Sequence, residues 1–391
     1  MNPLLLNKEV QGFISENYSK RLPSLILKGS PFPGIAPQEL GVQLKGKKIA
    51  EKKFPLLFST EGIIYPPSLN LEQASSERTA RYKAGLVSGR VLIDLTGGFG
   101  VDSLCFSEAV DQVYYCELDR ELVQIVQHNF RTLKADNITS IPGDGIQFLS
   151  SYSEEVDWIY LDPSRRTRTG GRVFRLSDCT PDVTANADLL WSKTSNILIK
   201  TSPLLDIRTG IDELKNVREV HILAIANEVK ELLWVLERNF VGTSFIKTVN
   251  FEGDKHQFFE GAFGEEAEVE LDHPQNFVYE PNAAIMKSGL FSKIRSEFGL
   301  AKLHQNTHLY TSNKLVRFPG RRFQIIKILP YRIKLLSKEF SNSKANISIR
   351  NFPDSVAKIR KKTGIKEGGN RHLLFCTTMD EAKVVLVCQR C

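Results

Sequence analysis

Four acidic residues each lie at or just beyond the end of a short strand-like segment in the first half of this 391-residue chain: Asp94, Glu117, Asp144 and Asp162. A glycine-bearing segment at residues 96–100 follows the first, Gly143 and Gly145 flank the third, and Pro163 follows the last. If the strand-like segments are strands of an open parallel α/β sheet, the four carboxylates converge on the crevice where such sheets bind ligands. The pattern therefore predicts a ligand site lined with carboxylates.

The residue types at this crevice favour a ligand that carries hydroxyl, amino and positively charged groups. Gly98 and Gly100 allow a sharp turn and let a ligand approach the backbone without meeting a Cβ atom. Glu117 ends the second strand-like segment, where an acidic residue can bind ribose hydroxyls. A phosphate would need basic partners, whereas this crevice collects carboxylates.

This order of residues resembles that of the class I S-adenosylmethionine-dependent methyltransferases, which implies a Rossmann-like α/β sheet and S-adenosylmethionine as cofactor. In that family the first-strand acid and its glycines hold the methionine part, the second-strand acid holds the ribose, and the third acid holds the adenine amino group. The matching cofactor-binding residues of this chain are Asp94, Thr96, Gly98, Gly100, Glu117 and Asp144. Thr96 replaces the family's usual first glycine.

Two alternatives to this reading stay open. The pattern Gly98-x-Gly100-x-x-Ser103 nearly matches a dinucleotide fingerprint, which would indicate a nucleotide-binding Rossmann domain of another kind. Asp144 taken alone is also a common turn former beside glycines. Its place in the series of strand ends favours the cofactor role.

The tetrapeptide Asp162-Pro163-Ser164-Arg165 occupies the substrate-facing position of the family. Amine-methylating members usually carry there an acidic or amide residue, two prolines and an aromatic residue that stacks on the target base. We predict that Asp162, Pro163 and Arg165 are catalytic, with Asp162 and the Pro163 carbonyl accepting hydrogen bonds from an amino group. The alternative is that Asp162 only caps the turn. The stacking aromatic is absent here, and Phe99, Phe174 or Trp191 are candidates to replace it.

A related group that methylates C5 of RNA pyrimidines uses Asp-Pro-Pro-Arg together with a nucleophilic cysteine after the fifth strand. The fifth predicted strand of this chain, Asn196 to Lys200, is followed by Thr201, Ser202 and Pro203. Without that cysteine, direct attack by a nitrogen on the methyl group is favoured, and alignment of the reactants supplies much of the rate.

Basic residues concentrate in the last quarter of the chain. The formal net charge is +7, but residues 314–371 alone hold 16 lysines and arginines against three acidic residues. A cationic segment on an otherwise acidic chain is typical of a protein that binds a polyanion. A solvated basic face without a ligand is the alternative.

We predict that the partner of this basic segment is RNA. A run of arginines also follows Pro163, where forked hydrogen bonds to phosphates are expected. The predicted substrate-binding residues are Arg166, Arg168, Arg321, Arg322, Arg350 and Lys366. No metal ligands are predicted, because Cys388-x-x-Cys391 is a single pair.

The whole chain resembles a bacterial methyltransferase family with a C-terminal THUMP-like domain. The motifs that carry the resemblance are Gln73-Ala-Ser-Ser-Glu77, Asp162-Pro-Ser-Arg-Arg166, Tyr279-Glu-Pro-Asn282 and Asn346-x-x-x-Arg350. THUMP domains dock structured RNA in several tRNA-modifying enzymes, so the resemblance implies a nitrogen of a base in tRNA or rRNA as the target. A protein or small-molecule methyltransferase, or a non-catalytic RNA-binding protein with a retained cofactor site, are the alternatives.

The sequence predicts four parts: an N-terminal helical region at 1–85, the cofactor-binding domain at 86–250, a small α+β (ferredoxin-like) domain at 251–316 and the basic THUMP-like domain at 317–391. Within them we predict a helix over 71–83, strands over 217–225 and 243–251, and a helix over 227–238. The pair Ser75 and Ser76, with Lys83, either faces the carboxylate end of the cofactor or belongs to a surface helix.

Composition favours a cytoplasmic enzyme. No apolar run approaches the roughly 20 residues of a membrane span, the first 18 residues lack a signal-peptide core, and the six cysteines are scattered, as in a reduced compartment. No required protein partner is predicted.

Overall fold

The computed structural model describes residues 1–20, 29–165, 175–266 and 268–391. It contains two compact units. The first comprises Met1–Arg218 and Leu233–Val241, and the second comprises Glu219–Leu232 and Gly242–Cys391. The four-part division of the sequence stays a prediction.

Short helices fill the N-terminal part of the first unit. They are the 3₁₀ helix Pro3–Leu6 and the α-helices α1 (Lys8–Asn17), α2 (Pro37–Lys53), α3 (Pro55–Ser59), α4 (Ser68–Gln73) and α5 (Glu77–Ala84). Proline begins α2 and α3, where its missing N–H leaves no helical bond unmade.

The predicted single helix over residues 71–83 is wrong, because the chain breaks into α4 and α5. Ala74 and Ser76 adopt extended backbone conformations between them. The Ser76 hydroxyl then accepts a hydrogen bond from the Thr79 N–H at 3.2 Å. A serine that caps a new helix competes with continuation of the old one, and this break points Ser75 into the protein.

Parallel strands form the sheet of the first unit: β1 (Gly89–Asp94), β2 (Val110–Glu117), β3 (Ile138–Pro142), β4 (Trp158–Leu161) and, after the short strands β5 (Ser164–Arg165) and β6 (Cys179–Thr180), β7 (Asn196–Thr201). Their order is β7-β4-β1-β2-β3, and every neighbouring pair is parallel. The accompanying elements are α6 (Val101–Phe106), α7 (Arg120–Thr132), α8 (Gly145–Ser151), a 3₁₀ turn (Leu176–Asp178), α9 (Ala187–Lys193) and α10 (Ile207–Leu214). The predicted Rossmann-like α/β class is confirmed.

The predicted helix over residues 227–238 is wrong. This segment is the strand β9 (Glu228–Glu237), which follows β8 (Val217–Ile225) after only two residues. Ala226 and Asn227 both have positive φ, 50° and 65°, as a two-residue hairpin turn requires. The apolar run after the turn has no alternation because Glu231 to Leu236 are all buried, and periodicity alone cannot separate such a strand from a buried helix.

In the second unit, β8 pairs in parallel with β10 (Phe245–Glu252), which forms a hairpin with β11 (Lys255–Ala262). A further sheet has the order β13-β14-β12-β15-β18-β17-β16. Its strands are β12 (Phe277–Pro281), β13 (Ala301–His304), β14 (Thr307–Ser312), β15 (Gly320–Pro330), β16 (Asn346–Arg350), β17 (His372–Thr377) and β18 (Lys383–Arg390). The helices are α11 (Ala283–Ser288), α12 (Lys293–Phe298), α13 (Ile333–Phe340) and α14 (Val356–Thr363).

The helices α13 and α14 cover this second sheet by burying Leu336, Phe340 and Ile359 against Phe375 and Val385. Burial of such side chains contributes about 1.5–3 kcal/mol each. Among the described residues, no helix combines the length and the apolar character needed to cross a bilayer.

Candidate active site

Asp94 ends β1 and is fully buried at the start of the glycine turn. Its carboxylate accepts hydrogen bonds from the Thr96 N–H at 3.0 Å and from the Ser103 hydroxyl at 2.5 Å. Gly98 and Gly100 have φ of 52° and 75°, a left-handed conformation that glycine adopts without strain. The Asp94 carboxylate therefore fixes the shape of the turn through these two hydrogen bonds.

Glu117, at the end of β2, is tied to the same turn. One of its carboxylate oxygens accepts the Gly98 N–H at 2.9 Å, and the other accepts the Asp119 N–H at 2.8 Å. The hydroxyl of Tyr115 donates to the Gly98 carbonyl at 2.6 Å. These bonds hold the first and second strand ends together, and each carboxylate oxygen keeps a second lone pair for a ligand.

Asp144 caps helix α8. Its Oδ1 accepts hydrogen bonds from the Ile146 N–H at 2.7 Å and the Gln147 N–H at 3.3 Å, while Oδ2 takes none within the described chain. The neighbouring Gly143 donates its N–H to the Glu117 carbonyl at 2.9 Å. The capping role and the predicted adenine contact are compatible, because the two oxygens of one carboxylate can serve them separately.

Asp162 follows β4 and lies beside Thr96. Its N–H donates to the Thr96 hydroxyl oxygen at 2.6 Å. The departure from the family's usual glycine at residue 96 thus has a physical role, since a glycine would offer no hydroxyl. The side chain of Asp162 is 34% exposed, and its Oδ2 forms an ion pair with Lys200 Nζ at 2.5 Å.

The rest of the predicted catalytic segment is only partly described. Pro163 is buried, and Ser164 and Arg165 form β5, which pairs with Thr180 and Cys179. The predicted substrate-binding residues Arg166 and Arg168 lie outside the described residues, as does Phe174.

Sequence reasoning missed the role of Lys200. The β4–β7 register pairs Leu161 with Ile199, so the next residues, Asp162 and Lys200, leave the sheet side by side. Lys200 is the only charged residue of β7 and directly follows the apolar run Ile197 to Ile199, and that exception was the available signal.

A second buried ion pair lies among Ser75, Lys83, Asp102 and Tyr160. Lys83 Nζ is 3.0 Å from Asp102 Oδ1 and donates to the Ser75 hydroxyl at 2.8 Å. Asp102 Oδ2 accepts hydrogen bonds from the hydroxyls of Ser75 and Tyr160, both at 2.8 Å. The surface-helix alternative is therefore wrong for Lys83, whose side chain is 0% exposed.

These groups form one electrostatic cluster with three carboxylates and two ammonium groups. Burial raises the pKa of Asp94 to about 7, and Asp102 and Asp162 act in the same direction, against the hydrogen bonds from Ser103 and Thr96. When all its members are ionised, the cluster carries one uncompensated negative charge. A cationic ligand beside Asp94 would neutralise it.

The other two carboxylates differ from Asp94. Burial acts to raise the pKa of Asp102, but Lys83 and Lys200 outweigh it and hold that pKa below its ordinary value. For Asp162, burial raises the pKa and the ion pair with Lys200 opposes this rise. Asp102 and Asp162 thus each have a lysine that favours the charged form, whereas the charged form of Asp94 is favoured only by the hydrogen bonds from Ser103 and Thr96.

The chain is similar over its length to methyltransferases. It is 20% identical over 320 residues to an uncharacterized S-adenosylmethionine-dependent methyltransferase of Mycobacterium tuberculosis, covering 79% of this chain and 82% of the relative. The crystal structure of an inferred methyltransferase from Porphyromonas gingivalis W83 is 29% identical, with a TM-score of 0.87 over 98% of this chain and 97% of the other. Residues 277–319 match a ferredoxin-like domain family, and residues 320–390 match a THUMP domain-like family.

The chain is a class I S-adenosylmethionine-dependent methyltransferase with a THUMP-like domain. The family resemblance drawn from the motifs is thereby confirmed, and the alternative of another nucleotide-binding Rossmann domain is set aside. The electrostatics of this methyltransferase suit its cofactor class, because S-adenosylmethionine carries a positive sulfonium and the Asp94 cluster has one unbalanced negative charge when Asp94 is ionised.

The predicted RNA-binding residues of the methyltransferase's second unit fall into two groups. Arg321 and Arg350 both form ion pairs with the buried Glu280. Arg322 and Lys366 have no ion pair among the described residues, and the Lys366 side chain is exposed. The first group holds β12, β15 and β16 together, whereas no ion pair neutralises the second group within the described residues.

Proposed function

We propose that this methyltransferase methylates a nitrogen of a base in structured RNA, either tRNA or rRNA. The observation that carries the proposal is the Asp162 carboxylate, which is partly exposed at the end of β4 and paired with Lys200 at 2.5 Å. S-adenosylmethionine would supply an activated methyl group on its sulfonium. The protein must then hold the two reactants in line, and such alignment is worth about 7–11 kcal/mol.

The residues that would hold the cofactor are those already joined by hydrogen bonds. Asp94, with the turn through Gly98 and Gly100, would face the methionine part. Glu117 keeps lone pairs for the ribose hydroxyls, and Asp144 keeps Oδ2 for the adenine amino group. The side chain of Thr96 is occupied by the Asp162 N–H, so its contribution is to place Asp162 relative to the cofactor turn.

Asp162 would orient the target nitrogen. Because Lys200 favours the charged form of Asp162, the carboxylate acts as a hydrogen-bond acceptor and turns the lone pair of an amino group toward the methyl donor. Lys200 engages Oδ2, and no described residue donates to Oδ1. The Pro163 carbonyl would accept a second hydrogen bond, and the catalytic role of Arg165 stays a prediction from the sequence.

Covalent C5 chemistry is disfavoured by the residues around this carboxylate. The chain after β7 reads Ser202-Pro203-Leu204 and offers no thiol nucleophile. The cysteine nearest in sequence to Asp162 within the described residues is Cys179, which is fully buried and donates toward the Arg175 carbonyl at 3.7 Å.

RNA is favoured as the substrate because the THUMP-like domain is strongly basic. Residues 314–371 carry 16 lysines and arginines against three acidic residues, and several of these cations are exposed. Phosphate contacts from such a surface would position the RNA, and the partly exposed Asp162 carboxylate would bind one unpaired or flipped base.

Labelled methyl transfer tests the proposal. The enzyme is incubated with labelled S-adenosylmethionine and total RNA from cells that lack this enzyme, and the RNA is separated by class and digested to nucleosides. We expect label in one RNA class, on a nucleoside whose methyl group is attached to nitrogen. Label on pyrimidine C5 would contradict the proposed chemistry. If no RNA is labelled although the cofactor binds, the same assay is repeated with total protein and with metabolite extract. Label in either extract would favour a protein or small-molecule acceptor. Label in neither would favour a non-catalytic RNA-binding protein.

A further inference from the structure

The second unit contains a cleft of about 560 Å³ that the cofactor site does not use. It is lined by the turn between β10 and β11, by the segment that leads into β15 and by the end of β18. Five cationic side chains belong to its lining: Lys255, Arg317, Arg321, Arg322 and Arg390. Its volume lies within the range of about 300–1,000 Å³ that is typical of small-molecule sites.

Three of these cations have no ionic partner among the described residues. Arg321 is paired with Glu280, and Arg390 lies 3.8 Å from Glu252. Lys255, Arg317 and Arg322 form no ion pair, and their side chains accept or donate no hydrogen bond within the described chain. Like charges held around one cleft repel one another unless an anion lies between them. The cleft therefore fits a ligand with negative charge, and arginine is the side chain best suited to phosphate.

The cleft also contains two carboxylates, Glu252 and Asp254, at the turn between β10 and β11. Both residues are exposed, and Asp254 has no ion pair in the described part of the chain. A bare phosphate would be repelled by them, whereas a sugar hydroxyl would donate a hydrogen bond to either. A ligand that joins a phosphate to a ribose satisfies both sets of side chains.

The aromatic residue of the lining does not add a stacking platform. Phe318 is 5% exposed, and its ring packs edge-on against Tyr279 and Phe298. Gly320 cannot carry a side chain, since a Cβ atom there would lie 2.1 Å from the Glu280 carbonyl oxygen. The β12–β15 pairing thus fixes this segment, and recognition is left to the charged side chains around it together with Gln257 and the exposed His256.

We propose that this cleft binds one ribonucleotide unit, with its phosphate at Arg317, Arg322 and Lys255 and its ribose hydroxyls at Glu252 or Asp254. The inference rests on the proposed function only in that an RNA strand is the expected source of the nucleotide. A free ribonucleotide presents the same chemistry, and binding measurements separate the two sources.

The test is equilibrium binding of a fluorescent eight-nucleotide single-stranded RNA to the full-length protein, followed by anisotropy at several salt concentrations. Arg317→Ala is the main variant, because the Arg317 side chain is exposed and forms no ion pair or hydrogen bond among the described residues. Lys52→Ala removes one exposed charge from the first unit as the matched control. We expect Arg317→Ala to weaken binding about tenfold, as loss of a charged hydrogen bond does. We also expect it to reduce the slope of log K against log salt by about 0.7.

Two further arms define the ligand. DNA of the same sequence should bind more weakly than RNA, because it lacks the 2′-hydroxyl, and Glu252→Gln together with Asp254→Asn should reduce that difference. Competition by adenosine 5′-monophosphate but not by adenosine would indicate that a free nucleotide also enters the cleft, and competition by neither would restrict the site to RNA. These binding experiments do not measure methylation. If the enzyme methylates protein, the proposed function is refuted, but the binding results for the cleft stay the same. Equal effects of Arg317→Ala and Lys52→Ala, or equal affinity for RNA and DNA, would overturn the cleft assignment.

Discussion

The buried pair of Lys83 and Asp102 leads to a quantitative prediction for Lys83→Met. Methionine fills a similar volume, so the change removes the ammonium group and leaves little cavity. Asp102 then remains buried with hydrogen bonds from Ser75 and Tyr160 but with its nearest cation gone. Removal of one partner of a buried ion pair typically costs about 3–5 kcal/mol. Because two hydroxyl donors remain, we expect about 3 kcal/mol for this site.

Unfolding of the first unit can be followed separately from that of the second. The three tryptophans of the chain, Trp158, Trp191 and Trp234, all belong to the first unit. Urea unfolding monitored by tryptophan fluorescence therefore reports on the unit that contains Lys83. Lys52→Met, at an exposed position, is the matched control and should leave the midpoint unchanged.

The double variant Lys83→Met with Asp102→Asn tests whether the unpaired Asp102 charge causes the loss of stability. If the destabilisation arises from an unpaired buried charge, removal of that charge should recover part of the loss, so the double variant should be more stable than the sum of the single changes predicts. The pH dependence gives a second check. Without Lys83 the pKa of Asp102 rises, so the folded state takes up a proton more readily than the unfolded state. The difference in the free energy of unfolding between Lys83→Met and the wild type should therefore become smaller as pH falls. A cost below about 1 kcal/mol for Lys83→Met, or strict additivity, would refute the reasoning.

Three further predictions concern the glycine turn and the carboxylates beside it. Thr96→Val leaves the Asp162 N–H without its acceptor, which costs about 1–3 kcal/mol, so we expect kcat to fall about tenfold. Calorimetry should find an unchanged cofactor Kd, and a shifted Kd would contradict this prediction. Asp94 has a pKa raised to about 7, and a bound cation favours its charged form, so the affinity for S-adenosylmethionine should rise as pH increases through 7 and level off above it. This pH dependence of cofactor binding should be lost in Asp94→Asn. Glu117→Gln replaces an acceptor with a donor facing Gly98 or Asp119, so it should weaken cofactor binding about tenfold, and an unchanged Kd would argue against the ribose role.

The strand ends were predictable because the signal is local. Asp94, Glu117 and Asp162 each follow an apolar run, and parallel pairing brings such ends to one edge of a sheet. The ion pairs were not predictable, since Lys83 meets Asp102 and Lys200 meets Asp162 only after the chain has folded. Spacing in sequence carries no information about those distances.

Two other differences have local physical causes. The β8–β9 hairpin turns on Ala226 and Asn227 without a glycine, so the usual turn signal was missing and the buried strand looked like a helix. Arg321 and Arg350 were assigned to RNA by charge alone, and the structure pairs both with Glu280. Net charge describes a surface but does not show which of its cations are already neutralised.

The proposed methyl transfer depends on the Asp162 carboxylate, which would orient the nitrogen that receives the methyl group. Its most direct test is single-turnover methyl transfer by Asp162→Asn at saturating S-adenosylmethionine and RNA, with cofactor affinity measured in parallel. We expect a rate at least about tenfold lower, because the amide is a weaker acceptor than the carboxylate and loses the ion pair with Lys200, while the cofactor Kd stays near that of the wild type. A wild-type rate with unchanged cofactor affinity would contradict it.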